Sequence, residues 1–334
     1  MQTRVLLDHG SGGMASQRLI NDLFLRHFSN PILETLDDAA SLELQGRVAM
    51  STDTFTVDPL IFPGGDIGSL AVHGTVNDVA MVGGVPKYLS CGFVLEEGLE
   101  LSLLERILGS MAQAVDRAGV SIVTGDTKVV PKGALDKMFI NTTGLGPITV
   151  AKPPSGARAA DGDAVLISGT VGDHGLTIMS SREGIQFDTE VRSDSVALNH
   201  MIGRLLRELP EVHVLRDPTR GGLATTLNEI AVQSGKQVQI SEASVPVKPS
   251  VSEGCSFLGL DPLYLANEGK VLCILPQAHA EQALQIMRND PAGREASWIG
   301  SVDSGRAGRV VLTTRIGGQR LLTMLEGEPL PRIC

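Results

Sequence analysis

The sequence predicts an α/β protein of two domains, and three observations support this prediction. Its 334 residues exceed what a single hydrophobic core usually holds. Short apolar runs typical of strands alternate with longer periodic segments typical of helices in both halves. A polar stretch rich in Pro and Gly, Lys152 to Arg158, separates the halves. We therefore predict an N-terminal domain at 1–150, a C-terminal domain at 151–322 and a flexible tail at 323–334.

The alternation gives a set of elements in each half. In the first half we predict strands at 47–51, 88–95, 121–124 and 139–144, with helices at 67–82 and 101–118. In the second half we predict strands at 164–168 and 271–275, helices after Gly175, at 223–234 and at 278–287, and a final strand pair between 298 and 314. A loop at 215–222 precedes the middle helix of this half.

Composition excludes some classes of function. The net charge is −10 and the chain has one Trp, two Tyr and eight Phe, which argues against a nucleic-acid binder because such proteins use basic and aromatic surfaces. No signal sequence and no run of eighteen apolar residues is found, so we expect a cytoplasmic protein that does not enter a membrane. The four cysteines lack CxxC spacing, which favours reduced thiols over disulfides or zinc.

Aspartates recur at strand ends and in glycine-rich turns. These are Asp37, Asp38, Asp53, Asp126 and Asp217. Asp78 lies instead within an apolar helix, where a lone carboxylate costs several kcal/mol, so it must be paired, protonated or bound to a cation. Carboxylates that converge with hydroxyls and glycines are typical of a site for Mg²⁺ and phosphate. Each aspartate taken alone is also compatible with a helix cap or a turn.

Three other features of the sequence each allow more than one interpretation. The glycine-rich stretch 9–13 either covers phosphates through its amides or is a flexible leader. Lys128 neutralises a phosphate, polarises a carbonyl or is a solvated lysine at a strand end. Glu268 is either a turn residue or a base. Three histidines match no metalloenzyme spacing and are predicted to be structural: His9, His73 and His174.

The chain ends in Glu328-Pro329-Leu330-Pro331-Arg332-Ile333-Cys334. The two prolines fix φ and remove amide donors, so this tail is predicted to be extended and to carry the Cys334 thiol on a semi-rigid arm. A frayed terminus that happens to end in cysteine is the alternative. Cys334 is the last residue, so prenylation does not explain it.

Several blocks together resemble the HypE family of hydrogenase maturation factors. They are Ser51-Thr52-Asp53-Thr54, Phe62 to Gly68, Gly74 to Asp78, Val123 to Lys128, Ser168 to Gly175, Asp217 to Gly222, Asn267 to Lys270 and Pro331 to Cys334. Blocks such as Asn77-Asp78 are shared with aminoimidazole ribonucleotide synthetase, selenophosphate synthetase and thiamine monophosphate kinase. The terminal Pro-Arg-Ile-Cys is the part specific to HypE.

The resemblance implies a PurM-like fold. Its N-terminal domain has a four-stranded sheet that pairs across a homodimer, its C-terminal domain is an α/β sandwich, and ATP binds at their junction. It also implies an activity, namely ATP-dependent carbamoyl dehydration. A carbamoyltransferase, HypF, loads the terminal thiol, and the chain then converts the thiocarboxamide to a thiocyanate. The cyano group passes to iron on a HypC–HypD complex for [NiFe] hydrogenase.

The same resemblance implies site residues. Catalytic roles fall to Cys334 as the thiol, Lys128 for the carbonyl oxygen and Glu268 as base. Mg²⁺ ligands are Asp38, Asp53, Asp78, Asp126 and Asp217. ATP contacts are Gly12, Gly13, Asp53, Asn77, Asp78, Thr127 and Asp217. Leu36 stands where many superfamily members have Gly, which leaves open whether Asp37 or Asp38 is the ligand, and we favour Asp38.

Two other functions compete with this one. A small-molecule kinase or synthetase of the same superfamily would have no use for Cys334. A carrier would accept the carbamoyl group on the thiol without catalysis. ATP turnover that depends on the loaded tail distinguishes both from a dehydratase.

Overall fold

The α/β fold class is confirmed by a computed structural model that describes residues 3–11, 13–37, 39–184, 191–324 and 332–334. In this part of the chain, two large mixed sheets are each packed against helices. The strands of the N-terminal sheet are β1 Val48–Phe55, β4 Tyr88–Glu96, β5 Ser121–Val130 and β6 Met138–Pro147, with a small hairpin of β2 Ile61–Phe62 and β3 Gly65–Asp66 beside it. The N-terminal helices are α1 Met14–Leu19, α2 Leu25–Phe28, α3 Ile67–Met81 and α4 Leu101–Ala118.

The N-terminal sheet has the strand order β1-β6-β4-β5, so β1 and β5 are its two edges. Strands β4 and β5 are parallel because α4 connects them as a crossover, and the other pairs are antiparallel. Helices α3 and α4 cover one face of this sheet. The opposite face is exposed, and Met50 on it is 69% exposed.

Helix α3 is buried on almost all sides, and Asp78 is its one residue that is not fully buried. It begins at Asp66, whose carboxylate accepts a hydrogen bond of 2.9 Å from the Ser69 N–H. It lies between the N-terminal sheet, α4 and the C-terminal segments 199–208 and 214–216, which explains why its sequence is apolar all round.

The C-terminal sheet has seven strands in the order β13-β12-β9-β11-β7-β10-β8. They are β7 Asp163–Ile167, β8 Val214–Arg216, β9 Gln237–Ser241, β10 Leu272–Pro276, β11 Ser297–Asp303, β12 Arg309–Thr313 and β13 Gln319–Leu321. The helices of this half are α5 Asp173–Glu183, α6 Asn199–Glu208, α7 Gly222–Ser234, α8 Pro249–Leu258 and α9 Ala280–Arg288. Alternate residues of β7 enter two separate cores, one with α6 and α9 and one with α7, so helices sandwich the sheet.

One expectation about strand pairing is wrong. Strands β11 and β12 follow each other in sequence but do not pair, because β9 lies between them, antiparallel to β11 and parallel to β12. The β9 segment is short and half polar, and it was not predicted as a strand. Helices α1, α2, α6 and α8 were also not predicted.

No helix in the described ranges is long and apolar enough to cross a membrane.

Candidate active site at the junction of the two sheets

A cavity of about 490 Å³ lies where the two halves of the chain meet. The N-terminal half contributes β1 and α3 to its wall, and the C-terminal half contributes the loop after β8, part of α7 and Glu268. Cys334, the last residue of the chain, also lines it. Three of the aspartates singled out in the sequence, Asp53, Asp78 and Asp217, therefore face one space.

The Asp78 carboxyl group, on the otherwise apolar helix α3, is paired with a hydroxyl group. Its Oδ2 accepts a hydrogen bond of 2.6 Å from Ser51 Oγ on the neighbouring strand β1. Burial raises the pKa of Asp78, and this effect exceeds the opposing effects of Ser51, Arg216 and Arg220. The apolar helix α3 thus presents a carboxyl group to the cavity that holds its proton more tightly than a solvated aspartate.

Asp53 and Asp217 show the same tendency. Burial, followed by the charge of Asp78, raises the pKa of Asp217 to about 7. Burial and the charge of Asp78 also raise the pKa of Asp53, with partial offset from the Thr54 N–H and Arg220. Burial is thus the first cause of the raised pKa at all three carboxylates, and the charge of Asp78 adds to it at Asp53 and Asp217. A divalent cation among them would favour their charged forms.

The three aspartates can bind Mg²⁺ only if other oxygen ligands complete the coordination of the ion. Within the described residues, no group of three His, Cys, Asp or Glu side chains is arranged to hold a metal ion. Mg²⁺ commonly takes one or two carboxylates and fills its other positions with water and substrate phosphates. Asp53, Asp78 and Asp217 are the residues that would hold such an ion.

Glu268 is the most perturbed acid of the site. Burial, then the charges of Asp194 and Asp217, raise its pKa well above the ordinary value. Its Oε1 is buried and has no hydrogen-bond partner in the described part of the chain. An unpaired, buried carboxyl group that faces a cavity is suited to exchange a proton with a bound substrate.

The backbone around Glu268 is held by a buried ion pair. Asp194 accepts hydrogen bonds from the Glu268 N–H at 3.1 Å, the Gly269 N–H at 3.2 Å and Lys270 Nζ at 3.0 Å. Burial would raise the pKa of Asp194, but Lys270, His174 and the Glu268 N–H hold it below its ordinary value. Asp194 therefore stays charged and fixes the turn that carries Glu268.

The end of the tail lies against the body of the protein. Ile333 is 3% exposed within the N-terminal core, and Cys334 is half-buried at the edge of the cavity. The Thr56 N–H donates to the Cys334 carbonyl oxygen at 3.0 Å, and the Asp58 N–H donates to the Arg332 carbonyl oxygen at 3.3 Å. The prolines of the tail lie outside the described residues, so their predicted extended conformation stays a prediction.

The remaining residues from the sequence prediction are not all in this cavity. Asp126, Thr127 and Lys128 line a second cavity of about 300 Å³ between β5 and the N-terminal helices. Asp126 and Lys128 form an exposed ion pair of 3.2 Å. They are in register with Gly92 and Val94, whereas the buried face of β4 carries Cys91 and Phe93.

Asp126 and Lys128 therefore point to the exposed face of the sheet, and Asp53 points to the face covered by α3. Two strands, β6 and β4, separate β1 from β5, which places the two groups about 14 Å apart across the sheet. Within one protomer, Asp126 and Lys128 therefore do not reach the Cys334 site, where the sequence predicted roles for them.

The side chain of Asn77 contacts the backbone of the C-terminal half. Its amide donates to the Val196 carbonyl oxygen at 3.0 Å and accepts from the Leu198 N–H at 2.7 Å, so it ties α3 to the C-terminal half. Gly13 precedes α1 and is exposed. Gly12 and Asp38 lie outside the described residues. The predicted roles of Asn77, Gly12, Gly13 and Asp38 stay predictions.

Several residues of the site were not predicted from the sequence. Ser51 and Arg220 occur in the quoted blocks and Arg216 directly precedes one, but no role was given to them. Asp194 and Lys270 pair across 76 positions in the chain, a contact that no local pattern reveals. Thr56 and His174 contact the tail only because the fold returns residue 334 to the end of β1.

Comparison with known proteins agrees with this geometry. The family models for AIR synthase related proteins match residues 36–148 (N-terminal domain) and 160–313 (C-terminal domain). The carbamoyl dehydratase HypE of Azotobacter vinelandii is 53% identical over 327 residues, which is 98% of this chain and 96% of that protein. The chain belongs to the HypE family.

Solved structures of HypE proteins share the fold. A crystal structure of the hydrogenase maturation protein HypE in complex with ATP is 64% identical, with a TM-score of 0.97 over 98% of this chain and 99% of that chain. HypE in a HypE–HypF complex is 46% identical, with a TM-score of 0.82 over 92% of this chain and 99% of that chain. The resemblance to HypE proposed from the sequence blocks is confirmed.

The raised pKa of Asp217 predicts how stability depends on pH. The folded chain binds this proton more tightly than the unfolded chain, so its contribution to stability is present below about pH 4 and is lost as pH rises through about 7. Asp217→Asn removes this dependence. We expect the variant to exceed wild type in free energy of unfolding by about 1 to 3 kcal/mol at pH 8 without metal, and by much less at pH 4.5.

Urea denaturation of both proteins in chelator buffer at the two pH values measures this difference. A variant that is less stable than wild type at pH 8 would show that the Asp217 carboxylate is stabilised, not strained, in the metal-free protein.

Proposed function

We propose that this chain dehydrates a carbamoyl group on its own Cys334 to a thiocyanate at the expense of ATP, and so provides the cyano ligand for the iron of [NiFe] hydrogenase. The observation that carries the proposal is the seat of Cys334 at a cavity lined by Glu268 and three aspartates. A carrier without catalysis has no need of a buried glutamate that lines the same cavity as its terminal cysteine.

The reaction must convert a poor leaving group into a good one. The carbamoyl oxygen attacks the γ-phosphorus of ATP, the bond between that phosphorus and the bridging oxygen breaks, and ADP leaves. One N–H proton is lost, which gives an imidoyl phosphate. Loss of the second N–H proton then breaks the C–O bond, releases phosphate and leaves S–C≡N.

The charges of the cavity suit this chemistry. Mg²⁺, when bound by Asp53, Asp78 and Asp217, supplies neutralisation of the phosphate charge that develops during transfer. Arg220 also lines the cavity and lies near enough to lower the pKa values of Asp53 and Asp78. It is placed to contact phosphate oxygens.

Glu268 is our candidate for the base that removes the N–H protons. Its raised pKa makes its carboxylate a stronger base than a solvated glutamate. A cation on the neighbouring aspartates would offset the charges that raise this pKa and favour the carboxylate form. The ion pair between Asp194 and Lys270 holds its backbone in place.

The tail must also leave the cavity to be loaded. A HypE protein forms a complex with HypF in a solved structure, and we propose that a HypF carbamoyltransferase loads Cys334 of this chain. The product then passes to an iron held by a HypC–HypD complex. We propose domains at 1–150 and 151–322 and a tail at 323–334. This tail would let the Cys334 thiol move between its partners and the cavity.

We further propose a homodimer in which the exposed faces of two N-terminal sheets meet. That face carries Val48, Met50 and Val94, which are 39%, 69% and 37% exposed. Because β1 and β5 are the edges of the sheet, a two-fold axis can bring β5 of one protomer beside β1 of the other. The partner subunit's Lys128 would then reach the Cys334 site of the first protomer. The Lys128 of that first protomer points away from this site.

Intact mass spectrometry of the loaded chain tests the main proposal. We expect wild type to gain one carbamoyl group from the carbamoyltransferase and carbamoyl phosphate, and to become one water lighter when ATP and Mg²⁺ are then added. Cys334→Ala should gain nothing, and Cys255→Ala, which removes a buried thiol elsewhere, should behave as wild type. An adduct that ATP leaves unchanged indicates a carrier, and no adduct on wild type indicates a small-molecule kinase.

Mixing of subunits tests the shared site. Lys128→Ala and Cys334→Ala chains are each expected to be inactive alone. In a mixed dimer, the Lys128→Ala chain supplies the tail and its partner supplies Lys128. We expect dehydration at about a quarter of the wild-type yield, because random exchange makes about half of the dimers mixed and each has one complete site.

Sedimentation velocity of the mixture confirms that dimers are present. If dimers form and no dehydration is recovered, the partner does not supply Lys128. A protein that sediments as a monomer would contradict the homodimer itself.

A further inference from the structure

The last three residues of the chain are held through their backbone. The Arg332 carbonyl oxygen accepts from Arg182 Nη2 at 2.9 Å, the Ile333 carbonyl oxygen accepts from His174 Nε2 at 2.8 Å, and the Cys334 carbonyl oxygen accepts from the Thr56 N–H. Each of these consecutive carbonyl groups therefore has its own donor on the body of the protein. None of these three contacts uses the thiol of Cys334.

His174 is the buried member of this set of donors. It lies in the first turn of α5 and is completely buried, with its ring edge-on to Phe62 at 5.6 Å between centroids. Its Nδ1 is 2.8 Å from Ser193 Oγ. Burial lowers the pKa of His174, so the ring is neutral near pH 7.

The two contacts of the ring fix its tautomer. A carbonyl oxygen can only accept, so Nε2 must carry the proton that points at Ile333. Nδ1 is then unprotonated and accepts from the Ser193 hydroxyl. The ring therefore presents a single donor in one direction, and the carbonyl it meets belongs to the residue before the reactive cysteine.

We propose that His174 is a positioning residue for the dehydration step, which sets the register of the tail through the Ile333 carbonyl group and so places the Cys334 thiol at the cavity. This inference rests on the proposed function. A slip of one residue would move the thiol by about 3.5 Å and present a different carbonyl to the ring. Reacting atoms must approach to about that distance, so such a slip separates the carbamoyl group from its reaction partners.

Packing of Ile333 does not set the register equally well. The burial of an apolar side chain in an apolar core has no preferred direction. A hydrogen bond from a fixed ring, by contrast, is directional. Arg332 also pairs with Asp136 at 2.7 Å, and that aspartate is 45% exposed. An exposed ion pair of this kind contributes little to the register, whereas the donor at His174 is fully buried.

The experiment compares His174→Phe with His174→Gln in single turnovers of the carbamoyl-loaded chain. Phe keeps a buried ring but has no donor, and Gln keeps an N–H donor near the position of Nε2. We expect His174→Phe to lower the maximal rate of water loss by about tenfold or more, with the half-saturating ATP concentration unchanged. His174→Gln should recover a large part of the rate.

Three further measurements separate positioning from loss of structure. Loading by the carbamoyltransferase and the melting temperature with ATP should match wild type in both variants, and alkylation of unloaded Cys334 should be faster in His174→Phe. Equal maximal rates for wild type and His174→Phe would overturn the proposal, as would a folded, ATP-binding His174→Gln no faster than His174→Phe. If loaded wild type itself loses no water, the proposed function fails and the role of His174 in dehydration falls with it, whereas faster alkylation of Cys334 in His174→Phe would show that His174 seats the tail.

Discussion

The concentration of acidic side chains at the junction of the two sheets is the constraint on which the rest of the structure depends. Asp53, Asp78, Asp217 and Glu268 all have raised pKa values, and burial is the first cause in each case. Burying these four carboxyl groups together costs free energy. The arrangement persists only because the packing of both sheets fixes the positions of the four residues. Helix α3, which is buried on almost all sides, is the element that brings the two sheets to this place.

The proposed function adds a second constraint, which is that the tail serves two places. Its end is seated by hydrogen bonds from Thr56, Asp58 and Arg182 and by the buried contact to His174. These bonds are few and mostly directed at backbone groups, so the seat selects one register without making departure prohibitive. Loading by a partner and dehydration at the cavity can therefore alternate on the same thiol.

The sequence predicted the elements that show strong periodicity, and helix α4 at Leu101–Ala118 has the bounds that were expected. It did not predict α1, α2 or the insertion of β9 between β11 and β12, because short amphipathic segments and long-range strand pairing leave little local signal. Asp53, Asp78, Asp217, Glu268 and Cys334 were predicted and do meet at one cavity.

The placement of Lys128 on the opposite face follows from strand register and a bulge between β4 and β5, which sequence alone does not give. The contacts of the tail were missed for a similar reason, since Thr56 and Cys334 are 278 positions apart.

Infrared spectroscopy of the chain loaded with ¹³C-carbamoyl on Cys334 tests the central claim most directly. Wild type should develop a protein-bound nitrile band on addition of ATP and Mg²⁺. Glu229→Gln changes another acid that lines the cavity and should keep the band, whereas Glu268→Gln should form it about 10² to 10⁴ times more slowly. A nitrile band that forms in Glu268→Gln at the wild-type rate would contradict the account, because the cavity would then not supply the base.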